Sequence, residues 1–153
     1  MKWDCLDWWR PFETKEIQMP YIHVQVSGSP DSTLAQSIAK EATALTARML
    51  GKDPNLTAVV VDFIDARHWF IAGGAVAATT ARSYHWMVSI TDETNTKKEK
   101  AAYLKAVHAQ MASLLGEVAE HSYVHIADLR ASAYGYGGET QERRYQYPSQ
   151  NQN

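Results

Sequence analysis

The chain reads as two copies of one β-α-β unit, and that repeat limits its possible folds more than any other feature. Pro20 and Tyr84 each open a stretch of alternating apolar and polar residues, and they lie 64 positions apart. The glycine pairs Gly73-Gly74 and Gly137-Gly138 are separated by the same 64 positions. In the first unit, residues 21–26 alternate as a strand does. Ser29 as N-cap, Pro30 at the first helical position and Asp31 in the first turn then start a helix. Leu34, Ile38, Leu45 and Met49 recur at helical spacing, and Gly51 stops the helix. Residues 56–64, with Val59, Val60, Val61 and Phe63, form the second strand. Residues 69–74 close the unit.

The second unit follows the same order. Residues 84–91 read as a strand and 92–96 as a polar loop. Leu104, Val107, Met111, Leu114, Leu115 and Val118 mark a helix. Residues 123–129 are the next strand, and Tyr134-Gly135-Tyr136-Gly137-Gly138 closes the unit. That last run opens no helix, so it reads as a turn and short hairpin rather than a phosphate loop. Strands that flank a crossover helix pair in parallel with right-handed connections. The expectation is an α+β fold: two fused β-α-β units forming a four-stranded mixed sheet with two helices on one face. Small sheets leave edges to be covered, which points to an oligomer.

Bulk properties narrow the function. The 153 residues suit one domain with a sizeable core. A net charge of -2 gives no basic footprint for a nucleic acid. The single cysteine, Cys5, excludes a disulfide framework and fits a reducing cytoplasm. No apolar run reaches the length of a membrane span. No His/Cys/Asp spacing signals a metal site, and nothing calls for a cofactor.

Both ends differ from the middle. Residues 1–18 place Trp3, Trp8 and Trp9 in an aperiodic stretch, and Asp4, Asp7 and Arg10 interrupt any signal-peptide core. Lys15-Glu16 can be encoded by a ribosome-binding sequence, with Ile17-Gln18 supplying the spacing to Met19. Residues 1–18 are therefore expected to be an over-extended gene start or a disordered leader. Residues 141–153, rich in Gln, Asn, Arg and Tyr, are expected to be a disordered tail. The domain proper is 19–140, with units 19–74 and 83–138.

Met19-Pro20-Tyr21-Ile22-His23-Val24, Leu50-Gly51-Lys52-Asp53-Pro54 with Thr57, Val59-Val60-Val61-Asp62, and Trp69 followed by Gly73-Gly74 carry a family pattern. They resemble the tautomerase superfamily in its 4-oxalocrotonate tautomerase branch. The doubled length is similar to its fused members, which include the cis-3-chloroacrylic acid dehalogenase and malonate semialdehyde decarboxylase groups. The resemblance implies a homotrimer whose subunit contacts can complete the site, and an amino-terminal proline as catalyst. Pro20 matches that proline, while Tyr84 stands at its place in the second unit. Ser27-Gly28-Ser29-Pro30 occupies the loop where the family carries an arginine. Asp92-Glu93-Thr94-Asn95 occupies the one where dehalogenases place theirs.

The chemistry follows from one nitrogen. A terminal secondary amine can accept a proton; the same nitrogen within a peptide bond is an amide and cannot. Burial and nearby cations bring such an amine from about 8 or above towards neutrality. It can then move a proton between the carbon and oxygen of a keto-enol pair. The expected activity is tautomerisation of a small 2-oxo acid, with Pro20 as general acid/base. Arg67, Arg82 and Arg130 are the candidate carboxylate- or enolate-binding cations, and Trp69 a pocket wall. Asp128 matches a carboxylate that activates water in some fused members, with Asp65 as its rough counterpart in the first unit. The alternatives are a hydratase or dehalogenase of an unsaturated acid using Pro20 and Asp128, or a non-enzymatic binding or assembly protein in which Pro20 stays amidated. Set against these roles, Pro20 can be a strand-opening proline, the arginines solvated, Trp69 a core residue and Asp128 a turn residue. His23 and His85 read as packing or surface residues, and His68 as a loop residue.

Overall fold

The computed structural model describes residues 18–147. The elements run β1 (Tyr21–Ser27), α1 (Ser32–Leu50), β2 (Ala58–Ile64), a hairpin of β3 (Phe70–Ile71) and β4 (Gly74–Ala75), β5 (Tyr84–Thr91), α2 (Lys97–Leu115), β6 (Tyr123–Leu129), a second hairpin of β7 (Gly135–Tyr136) and β8 (Glu139–Thr140), and α3 (Gln141–Gln146). The main sheet has the order β2-β1-β5-β6. Within each unit the strands are parallel, β1 with β2 and β5 with β6. The units meet through antiparallel β1 and β5, with Tyr21 opposite Ser89 and Val26 opposite Tyr84. The fold is the α+β arrangement of fused units that the repeat implies.

Strand alternation decides what each face carries. Ile22, Val24 and Val26 of β1 and Tyr84, Trp86, Val88 and Ile90 of β5 turn to the helices. There they form one buried cluster with Ile38, Ala42, Leu45 and Leu50 of α1 and Tyr103, Val107 and Met111 of α2. A polar chain threads this core. Trp86 Nε1 donates to Tyr103 Oη at 3.1 Å, and that hydroxyl lies 2.8 Å from Thr46 Oγ1. Buried polar atoms that find partners cost little, and here they also lock β5 against both helices. The other face bears Tyr21, His23, Val60, Asp62, His85, Tyr123 and His125, with Val60 and Tyr123 exposed at 40% and 58%.

Local chemistry sets the helix ends. α1 starts two residues later than Ser29 implies: Asp31 is the cap, its Oδ1 accepting from Leu34 N at 3.0 Å. α2 has a reciprocal capping box between Thr96 and Glu99. It ends at Leu115, so Val118 lies beyond it in a loop. Gly51 closes α1 in the left-handed region at φ 68°. Pro54–Leu56 forms a 3-10 turn capped by Asp53, which delays β2 to Ala58.

The repeat is 64 only up to β5. From the helices onward, equivalent residues are 65 apart, as Ser32 and Lys97 or Ala58 and Tyr123 show. The loop after β5 holds one residue more than the loop after β1. The two glycine pairs are therefore not equivalent. The first hairpin turns at Ala72 and Gly73, with φ 52° and 78°; the second turns at Gly137 and Gly138, with φ 60° and 82°. Both match the two-residue turn with positive φ at each position that suits the strand twist. Gly74 is the first residue of β4.

Among residues assigned to the tail, Gln141–Gln146 form α3, capped by Thr140 and with Gln141 buried. The expectation for residues 1–17 and 148–153 lies outside the described residues. No helix among the described residues is long and apolar enough to cross a membrane.

Candidate active site

The antiparallel pairing of the units places the starts of β1 and β2 beside the ends of β5 and β6. Pro20 sits there, buried, immediately before β1. Its carbonyl accepts from Ala58 N at 3.3 Å, and the carbonyl of Gln18 accepts from Asp53 N at 3.1 Å. The loop between α1 and β2 thus pins the chain on both sides of the proline.

Two side chains hold the two residues that precede Pro20. Tyr134 Oη donates to Met19 O at 2.6 Å and lies 3.1 Å from Ser89 O. A phenol has one proton, and the shorter contact takes it. Tyr134 reaches this point because it directly precedes the second hairpin, and Gln141 N holds its carbonyl at 2.8 Å. Burial raises the Tyr134 phenol above its ordinary value, against a smaller opposing effect of a backbone hydrogen bond from Tyr21. It is therefore a proton-bearing donor at neutral pH. The second side chain is Lys52, only 3% exposed. Its Nζ donates to Gln18 Oε1 and, at 2.8 Å, to Thr94 Oγ1. Lys52 directly follows the αL glycine that ends α1, and so projects into the sheet end rather than into solvent.

The candidates from the sequence separate into two groups. Asp128 and Arg130 lie at the Pro20 end, Asp128 in the strand row of Ile90. Two strand spacings put that row's β6 position about 10 Å from β1. The Asp128 carboxylate accepts from Lys100 Nζ of α2 at 2.7 Å, on the helix face of the sheet. Arg130 is exposed and precedes the 3-10 turn at Ala131–Ala133. Its position in the first unit is held by Asp65, so Asp65 is equivalent to Arg130 and not to Asp128.

Arg67, Trp69 and Arg82 lie at the opposite end, the length of β1 away, about 20 Å at the usual strand rise. Arg67 is exposed and forks onto Asp65, with Nη2 to Oδ2 at 2.6 Å. That guanidinium holds the Asp65 carboxyl far below the usual carboxylate range. Arg82 donates from Nε to Ser27 O at 3.2 Å. It helps line a groove of about 670 Å³ with Gly28, Ser29, Pro30, Ala66 and Thr80. Within one chain, none of these three touches the proline.

Lys52 and Tyr134 are the residues that sequence reasoning missed. Lys52 stands inside a stretch that carries the family pattern, and Tyr134 opens the run that closes the second unit. Only the fold shows that the α1–β2 loop and the segment before the second hairpin converge on Gln18-Met19. Among the described residues, no group of three or more His, Cys, Asp or Glu side chains is placed to hold a metal ion.

No protein-family model and no curated protein matches the chain. Solved structures match its fold. Pt0534, in a structure inactivated by 2-oxo-3-pentynoate, superposes with a TM-score of 0.70 at 14% identity, covering 80% of this chain and 97% of that one. The Q0 fused 4-OT, a symmetric trimer, gives 0.69 at 15% identity over 80% and 96%. A macrophage migration inhibitory factor-like protein from Entamoeba histolytica gives 0.66 at 15% identity over 80% and 98%. At these identities the likeness establishes a shared fold.

Proposed function

We propose that this protein is a tautomerase-superfamily enzyme that interconverts the enol and keto forms of a small 2-oxo acid. Pro20 is its general acid/base when it is the mature amino terminus. The observation that carries this reading is the position of Pro20: buried, at the mouth of a central strand, directly after two residues held by a buried ammonium, Lys52 on the Gln18 side chain, and by a proton-bearing phenol, Tyr134 on the Met19 carbonyl. The fold it occupies is shared with fused 4-OT and with a protein inactivated by 2-oxo-3-pentynoate, a 2-oxo acid derivative. Lys52 supplies the nearby cation that lowers the amine's proton affinity and attracts a carboxylate. Arg67, Trp69 and Arg82 serve Pro20 only across a boundary between copies, in the homotrimer the Q0 fused 4-OT forms. The proposed setting is the cytoplasm.

A second reading has its own observation. In the uncut chain the Met19–Pro20 amide is well accommodated, with Tyr134 on the Met19 carbonyl and Lys52 on the Gln18 side chain. A protein working in that form has no basic nitrogen at Pro20 and is a binding or assembly module. The hydratase or dehalogenase alternative draws less support, because Asp128 is committed to Lys100.

Intact-mass measurement of protein made from the native gene, joined to a phenylenolpyruvate assay, tests the proposal. A terminus at Pro20 with turnover supports it. A retained leader in active protein refutes it.

A further inference from the structure

We infer that Gln18-Met19 occupies the place of a substrate, and that Tyr134 is the donor that holds a substrate's oxo oxygen once that segment is gone. This rests on the tautomerase reading and adds the group that takes the negative charge. The Met19 carbonyl is the oxygen nearest the Pro20 nitrogen on its amino-terminal side, and Tyr134 Oη grips it at 2.6 Å. Nothing in the β-ladder requires that contact. The phenol's other neighbour, Ser89 O, belongs to β5 and stays when the leader leaves. The phenol therefore keeps its position while its principal acceptor departs. A carbonyl compound entering beside Pro20 meets a donor already aimed at a carbonyl oxygen.

The step balances without any further reactant. The neutral Pro20 amine takes a proton from the carbon next to the oxo group. The C–H electron pair forms the new C=C bond, and the carbonyl π pair moves onto oxygen. Tyr134 donates its hydrogen bond to that oxygen and keeps its proton. The Pro20 ammonium then delivers the proton to the oxygen to give the enol, and the reverse sequence gives the keto form. A donor fixed in advance at the atom where charge develops is worth most when it is shielded from water. Burial of Tyr134, which disfavours phenolate, keeps it a donor through the cycle.

The same contact predicts what the intact chain does. With residues 18 and 19 in place, the phenol and Lys52 are both engaged by the chain itself, so substrate is excluded even apart from the loss of the amine.

The experiment compares proteins beginning at Pro20, assayed on phenylenolpyruvate. Tyr134→Phe is expected to lower kcat about 10²-fold with little change in KM. Site-specific 3-fluorotyrosine at 134 keeps the hydroxyl and shape but acidifies the phenol, and is expected to shift kcat while the melting temperature holds. Pro20→Ala, run alongside, separates the two layers of argument. If it abolishes turnover while Tyr134→Phe and the fluorinated protein both keep the parent kcat, the Tyr134 assignment is overturned and the proline reading stands. If Pro20→Ala keeps full turnover, the tautomerase reading itself fails, and the role of Tyr134 with it. Should Tyr134→Phe not fold, the fluorinated protein decides alone.

Discussion

The two units present the same strand opening to opposite ends of one sheet, and the residues gathered at the two openings differ in kind. Pro20 and Tyr84 are equivalent by position. After its helix, the first unit continues Gly51-Lys52 and the second Gly116-Glu117. An ammonium at one end is thus a carboxylate at the other. Lys52 turns inward to Gln18, whereas Glu117 accepts from Thr80 Oγ1 at 2.8 Å on an exposed linker. Tyr134 aims a hydroxyl at the Met19–Pro20 bond; its equivalent, Trp69, carries no oxygen. Tyr84 itself points into the core, with Oη 2.9 Å from His108 Nδ1 and the phenol pushed up to about 12 by burial. The repeat supplies a symmetric scaffold, and on the proposed reading these three differences confine the chemistry to one end.

Breaking that asymmetry at its centre has the largest expected effect. In protein starting at Pro20, Pro20→Ala removes the secondary amine and is expected to lower kcat on phenylenolpyruvate by about 10²–10⁴-fold. Circular dichroism is expected to be unchanged. Converting the Pro20 end towards the Tyr84 end comes next. Lys52→Glu copies the second unit, and is expected to lower kcat/KM by about 10- to 100-fold through loss of a charged hydrogen-bond donor. Retained kcat/KM in that variant would remove Lys52 from the site.

The hairpins provide the next contrast. A Cβ on Gly135 would lie 1.9 Å from Glu139 O, while the equivalent position in the first hairpin is Phe70, exposed at 59%. Gly135→Ala is expected to cost about 1–3 kcal/mol by overpacking, read from urea unfolding. Ala72 holds φ 52° where the second hairpin has Gly137. Ala72→Gly is expected to gain about 0.5–1 kcal/mol, relief of left-handed strain outweighing the added freedom of the unfolded chain.

The smallest effect concerns pH. His85 has its pKa lowered, first by burial and then by His125 and His23. It lies 2.8 Å from His125 Nδ1 and 3.2 Å from Gln25 Oε1, while His23 faces Asp62 at 2.6 Å. The folded chain then binds fewer protons than the unfolded one, so stability falls as pH drops below about 6.5. Thermal scans should show a shallower decline in His85→Gln.

The fold was legible because its signals are local and repeated. Alternating strands, helical spacing in Leu34–Met49, and glycine stops each act over a few residues. Boundaries slipped where two chemistries competed: Ser29 and Asp31 are both good caps, and Asp31 makes the bond. The repeat length slipped because Gly-Gly looks alike whether the pair forms the turn or, as at Gly73-Gly74, only half of it. Pro20 was legible as the candidate centre of the proposed site. Arg130 falls at the Pro20 end and Arg67 and Arg82 at the other, because a sequence does not say which end of a strand a loop will face. Lys52 and Tyr134 lie 82 residues apart, and only the antiparallel β1–β5 seam brings them to adjacent residues, Gln18 and Met19.

Helices clothe one side of the sheet, and the reverse side carries Val60, Tyr123 and three histidines with no helix among the described residues laid over them. On the trimer reading, that bare side makes robustness a collective property: a dilute sample should melt earlier than a concentrated one, because each copy lends its neighbours the cover it lacks.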